Sequence, residues 1–216
     1  MSSDREKQLA AEAAAELVAD GMRVGLGTGS TVAYLLPALA RRGLSLRCVA
    51  TSLATEEAAR AVGLAVESFS GSGALDRLDI AIDGADQVAP SGWLVKGGGA
   101  AHTREKAVAA AAARFVVIVS SDKLVERLQP PVPLELLEFG LAATLERIGS
   151  VELRDAPRSP DGGVIADYLG VVDDPAELAA RLSATTGVVE HGLFSPGLVS
   201  DLVIGRGDGV EQRRLR

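Results

Sequence analysis

Four short apolar runs, each closed by a glycine, hydroxyl or acidic residue, most constrain what this chain can fold into. They are RVGLG ending at Gly27, LRCVAT ending at Thr51, LDIAID ending at Asp83 and FVVIVS ending at Ser120. Runs this short and this apolar read as buried strands, and helically spaced stretches separate them at Val32 to Arg41, Glu56 to Val62 and Thr103 to Ala113. A further helix is predicted from Lys7 to Val18, closed by Gly21. Strands alternating with helices of this length imply a mostly parallel sheet covered on both faces.

The texture changes near residue 129, where QPPVP breaks the alternation and a helical segment is predicted from Leu134 to Ile148. VELRD, a turn at SPDGG, the strand-like VIADYLG, a helix from Pro175 to Ser183 and the strand-like GVVEHG follow. This β-β-α-β order describes a small α+β unit. The apolar DLVIGRGDG then reads as a strand returning to the first sheet. The expected domains are therefore 1–129 with 201–216, and an inserted 130–200.

Composition narrows the function classes. With 47% hydrophobic residues the chain can bury a full core without staples, and its single cysteine, Cys48, lies in the apolar LRCVA as a small buried hydrophobe of a reducing compartment. The first twenty residues lack the apolar stretch of a signal peptide, and no run approaches membrane-spanning length, so the expected location is cytoplasmic. A net charge of -7 with 3% aromatic residues argues against broad nucleic-acid binding, yet leaves room for a small anion in a locally positive pocket. His102 and His191 are too few for a histidine metal cluster and read as structural, so no metal and no cofactor is expected. Trp93 reads as packing, and the tripeptide Arg206-Gly207-Asp208 as coincidence.

Several loops carry candidate chemistry. Gly25-Leu26-Gly27-Thr28-Gly29-Ser30-Thr31 follows a strand and opens a helix, either as a phosphate cradle or as a tight β-α turn; its spacing fits neither a dinucleotide fingerprint nor a P-loop. Thr51-Ser52-Leu53-Ala54-Thr55 repeats the arrangement, as a ligand loop or simply an N-cap. Asp83 and Asp86 in DGAD stand just past a strand, as sugar-handling carboxylates, metal ligands or an Asx turn. Lys96-Gly97-Gly98-Gly99 concentrates three glycines where backbone must approach something closely, unless it is a flexible linker. Beyond it AHTREK begins a helix, with Thr103 a candidate N-cap and Glu105 in the first turn, a position that also suits the helix dipole.

Taken in order, GLGTGST, TSLATEEAA, DGADQ, KGGGAAHTREK and SSDKLV resemble type A ribose-5-phosphate isomerases over almost the whole chain. The resemblance implies an α/β fold, a Rossmann-like mostly parallel sheet with a small ferredoxin-like α+β second domain. It implies interconversion of ribose 5-phosphate and ribulose 5-phosphate through an enediolate, without cofactor, by a homodimer or homotetramer whose partner is a small-molecule sugar phosphate rather than nucleic acid or membrane. It assigns the general base to Glu105, sugar-handling carboxylates to Asp83 and Asp86, and a charge-stabilising ammonium to Lys96 beside Gly97, Gly98 and Gly99. Phosphate is expected among Thr28, Gly29, Ser30, Thr31, Thr51, Ser52 and Thr55, with Lys7 and Lys123 matching family lysines. The chain departs from the family pattern at Gln87, where Glu is usual, at His102, where Leu is usual, and at the turn Asp161-Gly162-Gly163. The intact KGGGAAHTREK block favours the isomerase over an amino-sugar-phosphate deaminase or a CoA transferase on a related fold, and a sugar-phosphate sensor is disfavoured because residues 1 to 20 read as one helix, which leaves no helix-turn-helix.

Overall fold

A computed structural model describes residues 3–216. The chain divides into two compact units, one comprising the chain through Ala85 with Arg104–Lys123 and Gly197–Arg216, the other Asp86–Thr103 with Leu124–Pro196.

The first unit begins with α1 (Ser3–Ala15), β1 (Arg23–Leu26), α2 (Ser30–Arg41), β2 (Arg47–Ala50), α3 (Leu53–Ala61) and β3 (Ile80–Asp83). In the second unit β4 (Gln87–Val88) and β5 (Leu94–Val95) follow, before α4 (His102–Ala111), which belongs to the first unit from Arg104 onward. The first unit then adds β6 (Phe115–Ser120) and a 3₁₀ turn at Ser121–Lys123. The second unit resumes with β7 (Val132–Leu136), α5 (Leu141–Ile148), β8 (Val151–Leu153), β9 (Val164–Tyr168), α6 (Pro175–Ala184), β10 (Val188–His191) and β11 (Leu193–Phe194). The hairpin β12 (Asp201–Arg206) and β13 (Gly209–Arg214) completes the first unit.

The first unit's sheet runs β13-β12-β6-β3-β1-β2, parallel except for the edge strand β13. Its strands carry apolar residues on both faces because both are covered. Val24, Leu26, Ile80, Ile82, Val116 and Ile118 pack with alanines of α1 and leucines of α2, while on the other face Val108 of α4 lies directly over Gly25. The alanine face of α1 (Ala10, Ala11, Ala14, Ala15) is buried, and small side chains let a helix approach closely. This helix ends at Ala15 rather than at the expected Val18, and Arg42, just past α2, donates to the carbonyls of Ala15 and Val18, which supplies the C-terminal cap.

The second unit contains a four-stranded antiparallel sheet in the order β10-β7-β9-β8 and a three-stranded one in the order β11-β5-β4. From β8 to β10 the order is ββαβ, as expected from VELRD, VIADYLG, the helix at Pro175 and GVVEHG, and with β7 and α5 in front the run reads βαββαβ. The predicted helix from Leu134 to Ile148 is corrected: its first part is β7, and only Leu141–Ile148 is helical. Prolines at 131 and 133 disfavour a helix there, and Gly140 at a left-handed φ of 75° separates strand from helix. Leu134 and Leu136 face the core with Ala166, Tyr168, Leu178 and Leu182, and Trp93 packs against this cluster.

Candidate active site

In the first unit the carboxyl ends of β1, β2, β3 and β6 present Gly27–Thr31, Thr51–Thr55, Asp83 and Ser121–Lys123 in turn. Strand β1 has β2 on one side and β3 on the other, so the sheet's connections diverge there, where open α/β sheets bind their ligands. Asp83 is only 3% exposed, and its Oδ1 accepts from the N–H of Thr28 at 3.1 Å and of Gly84 at 2.7 Å. Gly27 makes this possible: a Cβ there would lie 2.0 Å from the Asp83 carboxyl carbon.

The hydroxyl cluster supports that loop from beneath. Thr28 Oγ1 lies 2.7 Å from Thr51 Oγ1 and 3.4 Å from Thr55 Oγ1, while Thr55 donates to the Gly27 carbonyl at 2.9 Å and Thr51 to the Leu26 carbonyl at 3.3 Å. Ser52 is the N-cap of α3, accepting from the Thr55 N–H at 3.2 Å. Thr51 and Thr55 are therefore buried props. The outward elements are Gly29 and Ser30, both exposed, and half-buried Thr31, at the start of α2. Gly29 supplies no side-chain cap, and the amides of a helix's first turn have no intrahelical partner, which suits an anion.

Lys7 pairs with Asp4 at 3.3 Å, and Lys123 Nζ lies 4.0 Å from Asp122. Glu6, next to Lys7 in sequence and bonded to the turn that carries Lys123, is a residue the sequence reading passed over. Its Oε2 accepts from the N–H and hydroxyl of Ser121 at 2.8 and 2.7 Å, and its Oε1 from the Gly207 N–H at 2.8 Å. The Gly207 N–H first, then the Ser121 hydroxyl and N–H, hold this carboxyl below its ordinary range. Glu105 stands in the first turn of α4 and is 4% exposed.

In the second unit Asp86 is exposed, and its Oδ2 accepts from the Gly98 N–H at 2.8 Å. Lys96 is 3% exposed, its Nζ 5.4 Å from the centroid of the Phe194 ring and its N–H bonded to the Gly192 carbonyl. Gly97 has φ +104°, and a Cβ there would lie 2.7 Å from Nδ1 of fully buried His102. The turn closes through Ala100 N–H to the Gly97 carbonyl at 3.0 Å, with Ala100 itself at φ 60°. Thr103 is not a cap: it lies inside α4, and its hydroxyl donates to buried Glu135, which also receives the Ser159 hydroxyl. Glu135 in VPLEL and Arg154 in VELRD escaped the sequence reading, because the first falls in a stretch read as helix and the second stands among other charges.

Gln87 exchanges two 2.8 Å bonds with the backbone of Gln129, a donor-plus-acceptor task that an ionised Glu cannot perform. His191 is structural, accepting from the Leu193 N–H through Nδ1 and meeting Ser183 through Nε2 at 3.1 Å. Burial, with a smaller contribution from Glu67, pushes the Cys48 thiol up to about 11, which makes it unreactive at neutral pH. Among the described residues no group of three or more His, Cys, Asp or Glu is placed to hold a metal ion, and no helix is long and apolar enough to cross a membrane.

The family model for ribose 5-phosphate isomerase A (phosphoriboisomerase A) matches residues 47–209. A ribose-5-phosphate isomerase A of Caulobacter sp. strain K31 is 44% identical over 97% of this chain and 98% of its own length. Among solved structures, ribose 5-phosphate isomerase A from Neisseria gonorrhoeae superposes with a TM-score of 0.93 at 32% identity, covering 100% of this chain and 98% of that one. A D-ribose-5-phosphate isomerase in complex with phospho-erythronic acid gives 0.91 at 32% identity, covering 99% and 100%.

Proposed function

The chain belongs to the ribose 5-phosphate isomerase A family and interconverts ribose 5-phosphate and ribulose 5-phosphate, and from that premise we propose how its own residues do so. Glu105 is the general base, taking the proton from C2 of the aldose and returning it to C1 of the enediolate. One carboxylate serves both transfers because both carbons present the migrating proton on one face. Lys96 and the amides of Gly97 and Gly99 stabilise the developing oxyanion, while the Gly98 amide holds Asp86. Asp83, with Asp86 handling the sugar hydroxyls, moves the proton from the anomeric hydroxyl to the ring oxygen to open the sugar. The phosphate rests on Gly29, Ser30 and Thr31, on a loop shaped by Thr28, Thr51, Ser52 and Thr55, with Lys7 and Lys123 supplying charge. No metal or organic cofactor enters these steps.

The observation that carries this reading is the burial of Glu105, Asp83 and Lys96, three ionisable side chains at the family's motif positions. Burying charge costs several kcal/mol, about 3–5 kcal/mol where a partner is lost, and such groups cluster at functional sites. A relative of 32% identity that binds phospho-erythronic acid, whose carboxylate stands in for the enediolate oxygens, supports the substrate class. We place the enzyme in the cytoplasm as a homodimer or homotetramer; Phe139, 95% exposed beside exposed Leu137, supports self-association.

Glu105→Gln tests the base. Substrate affinity should persist while turnover falls by at least the ~10²–10⁴ typical of a general base, and deuterium wash-in from D₂O should vanish with it. A folded Gln variant within tenfold of wild type would move the base elsewhere, with Asp83 the first candidate.

A further inference from the structure

The glycine loop of the second unit is held by an arginine with no assigned role. Arg154 Nη1 donates to the carbonyls of Gly97 and Gly98, each at 3.1 Å. The opposite edge of the same guanidinium is forked onto Asp167, with Nε 2.9 Å from Oδ2 and Nη2 on Oδ1. Both side chains are about four-fifths buried, at 20% and 19% exposure. Asp167 stands on β9, between β7 and β8, and the Arg154 backbone donates to Ile165 of the same strand at 3.0 Å. The arginine is thus fixed at both ends before it reaches the loop.

The consequence follows from peptide geometry. In a trans peptide the N–H points opposite to the C=O. Turning the Gly97 and Gly98 carbonyls toward Arg154 turns the N–H groups of Gly98 and Gly99 away from it. The Gly98 N–H accordingly meets Asp86, and the Gly99 N–H faces away from Arg154. A loop of three glycines offers little steric resistance to a peptide flip, and a flip here would replace a donor by an acceptor on that side. Nothing else charged among the described contacts of this loop holds its carbonyls.

We infer that Arg154, locked by Asp167, is a positioning residue that orients the glycine-loop amides, the Gly98 N–H onto Asp86 and the Gly99 N–H toward the reacting oxygens. This rests on the assignment of that loop to oxyanion stabilisation. Arg154 touches no reacting atom; it sets which end of each peptide dipole the enediolate meets. A guanidinium is suited to this because its rigid fork binds a carboxylate and two carbonyls at once, whereas a lysine ammonium offers no such geometry.

The test is steady-state kinetics on Arg154→Ala, Arg154→Lys and Asp167→Asn, with circular dichroism to confirm folding and phospho-erythronic acid as inhibitor. Arg154→Ala should lose about 10²-fold in kcat, the effect of removing one oxyanion donor, with KM changed by less than about threefold. Inhibition by phospho-erythronic acid should weaken in parallel, millimolar guanidinium should restore part of the alanine variant's activity but none to wild type, and Arg154→Lys should fall between. Should Arg154→Ala not fold, Asp167→Asn, which keeps the side-chain shape, gives the same kcat-against-KM reading. A folded variant with wild-type kcat, or a loss confined to KM, overturns the inference. Activity retained in Glu105→Gln would overturn the catalytic reading itself; an inactive Glu105→Gln beside a fully active Arg154→Ala removes only this one.

Discussion

The two glycine loops of this enzyme are held in opposite ways. The loop after β1 is fixed by the parallel sheet around it: Gly27 N–H bonds to Ile82 O at 3.0 Å, Thr51 N–H to Leu26 O at 3.0 Å, and the Thr55 hydroxyl to Gly27 O. Its shape follows from strands that pair on both sides. The loop after β5 leaves a strand of two residues in a small meander, and it is held by charge, with Asp86 on one amide and Arg154 on two carbonyls. Loops of the first kind should tolerate loss of a hydroxyl but not added volume, and loops of the second kind should be most sensitive to loss of charge.

The largest expected effect comes from adding one methyl group to the first loop. Gly27→Ala would place a carbon 2.0 Å from the Asp83 carboxyl, and both neighbours are built into strands that cannot part. Overpacking of this kind costs about 1–3 kcal/mol or more, and displacing Asp83 by about 1 Å should cost at least 10²-fold in turnover. Urea unfolding and initial rates on the same preparation measure both; an alanine variant with near-normal rates would show that Asp83 can move without consequence.

Gly97→Ala should do less to turnover, because the second loop's orientation rests on Arg154 rather than on close packing. It combines a left-handed φ of +104° with a contact to His102, for a total cost of about 1–3 kcal/mol. The double variant with His102→Ala separates the parts when His102→Ala alone is its reference: the steric share should be recovered, leaving about 1 kcal/mol of backbone strain on top of the cavity cost that both carry. If Gly97→Ala costs as much in urea in the His102→Ala background as in wild type, the backbone rather than the imidazole dictates glycine there.

The same contrast explains what could be read in the sequence. FVVIVS is buried along its whole length because both sheet faces are covered, so an unbroken apolar run identified β6 residue for residue. VPLEL is also buried throughout, but its Glu135 and the leucines on either side of it mimic helical spacing when joined to the residues that follow, and only the pairing with β9 and β10 decides for strand. The proposed site splits along similar lines. Thr28, Asp83 and the hydroxyl cluster end apolar strands, a position any reader can mark. Arg154 and Asp167 carry no such local mark, because their role appears only when β8 and β9 pair and bring both to the glycine loop. Glu105 and Lys96 were legible through the order of motifs, not through chemistry at either position alone.

Glu6 is where the contrast should blur, since it is a charge-held joint in the first unit, as the Asp83 carboxylate on the Thr28 N–H is in the loop itself. Its carboxylate collects two bonds from Ser121 and one from Gly207, tying α1 to the turn after β6 and to the β12–β13 hairpin. It therefore stands beside Lys7 in sequence and near the turn that carries Lys123. These bonds favour the ionised form, so the folded-state pKa lies below the ordinary 4.5. A depressed carboxyl pKa contributes stability that is fully present above the unfolded value and is lost as pH falls through the folded one. Glu6→Gln should consequently melt below wild type at pH 7, and the gap in Tm should narrow as pH drops below about 4.5 and the wild-type carboxylate takes up its proton. The effect should be the smallest of the three because the carboxylate is partly exposed and water screens it. A Tm difference that stays constant from pH 7 to pH 3 would mean that the amide replaces the carboxylate's packing poorly for reasons of shape. In that case this joint would rest on packing rather than on charge, leaving the Asp83 carboxylate on the Thr28 N–H as the charged hold on the first loop.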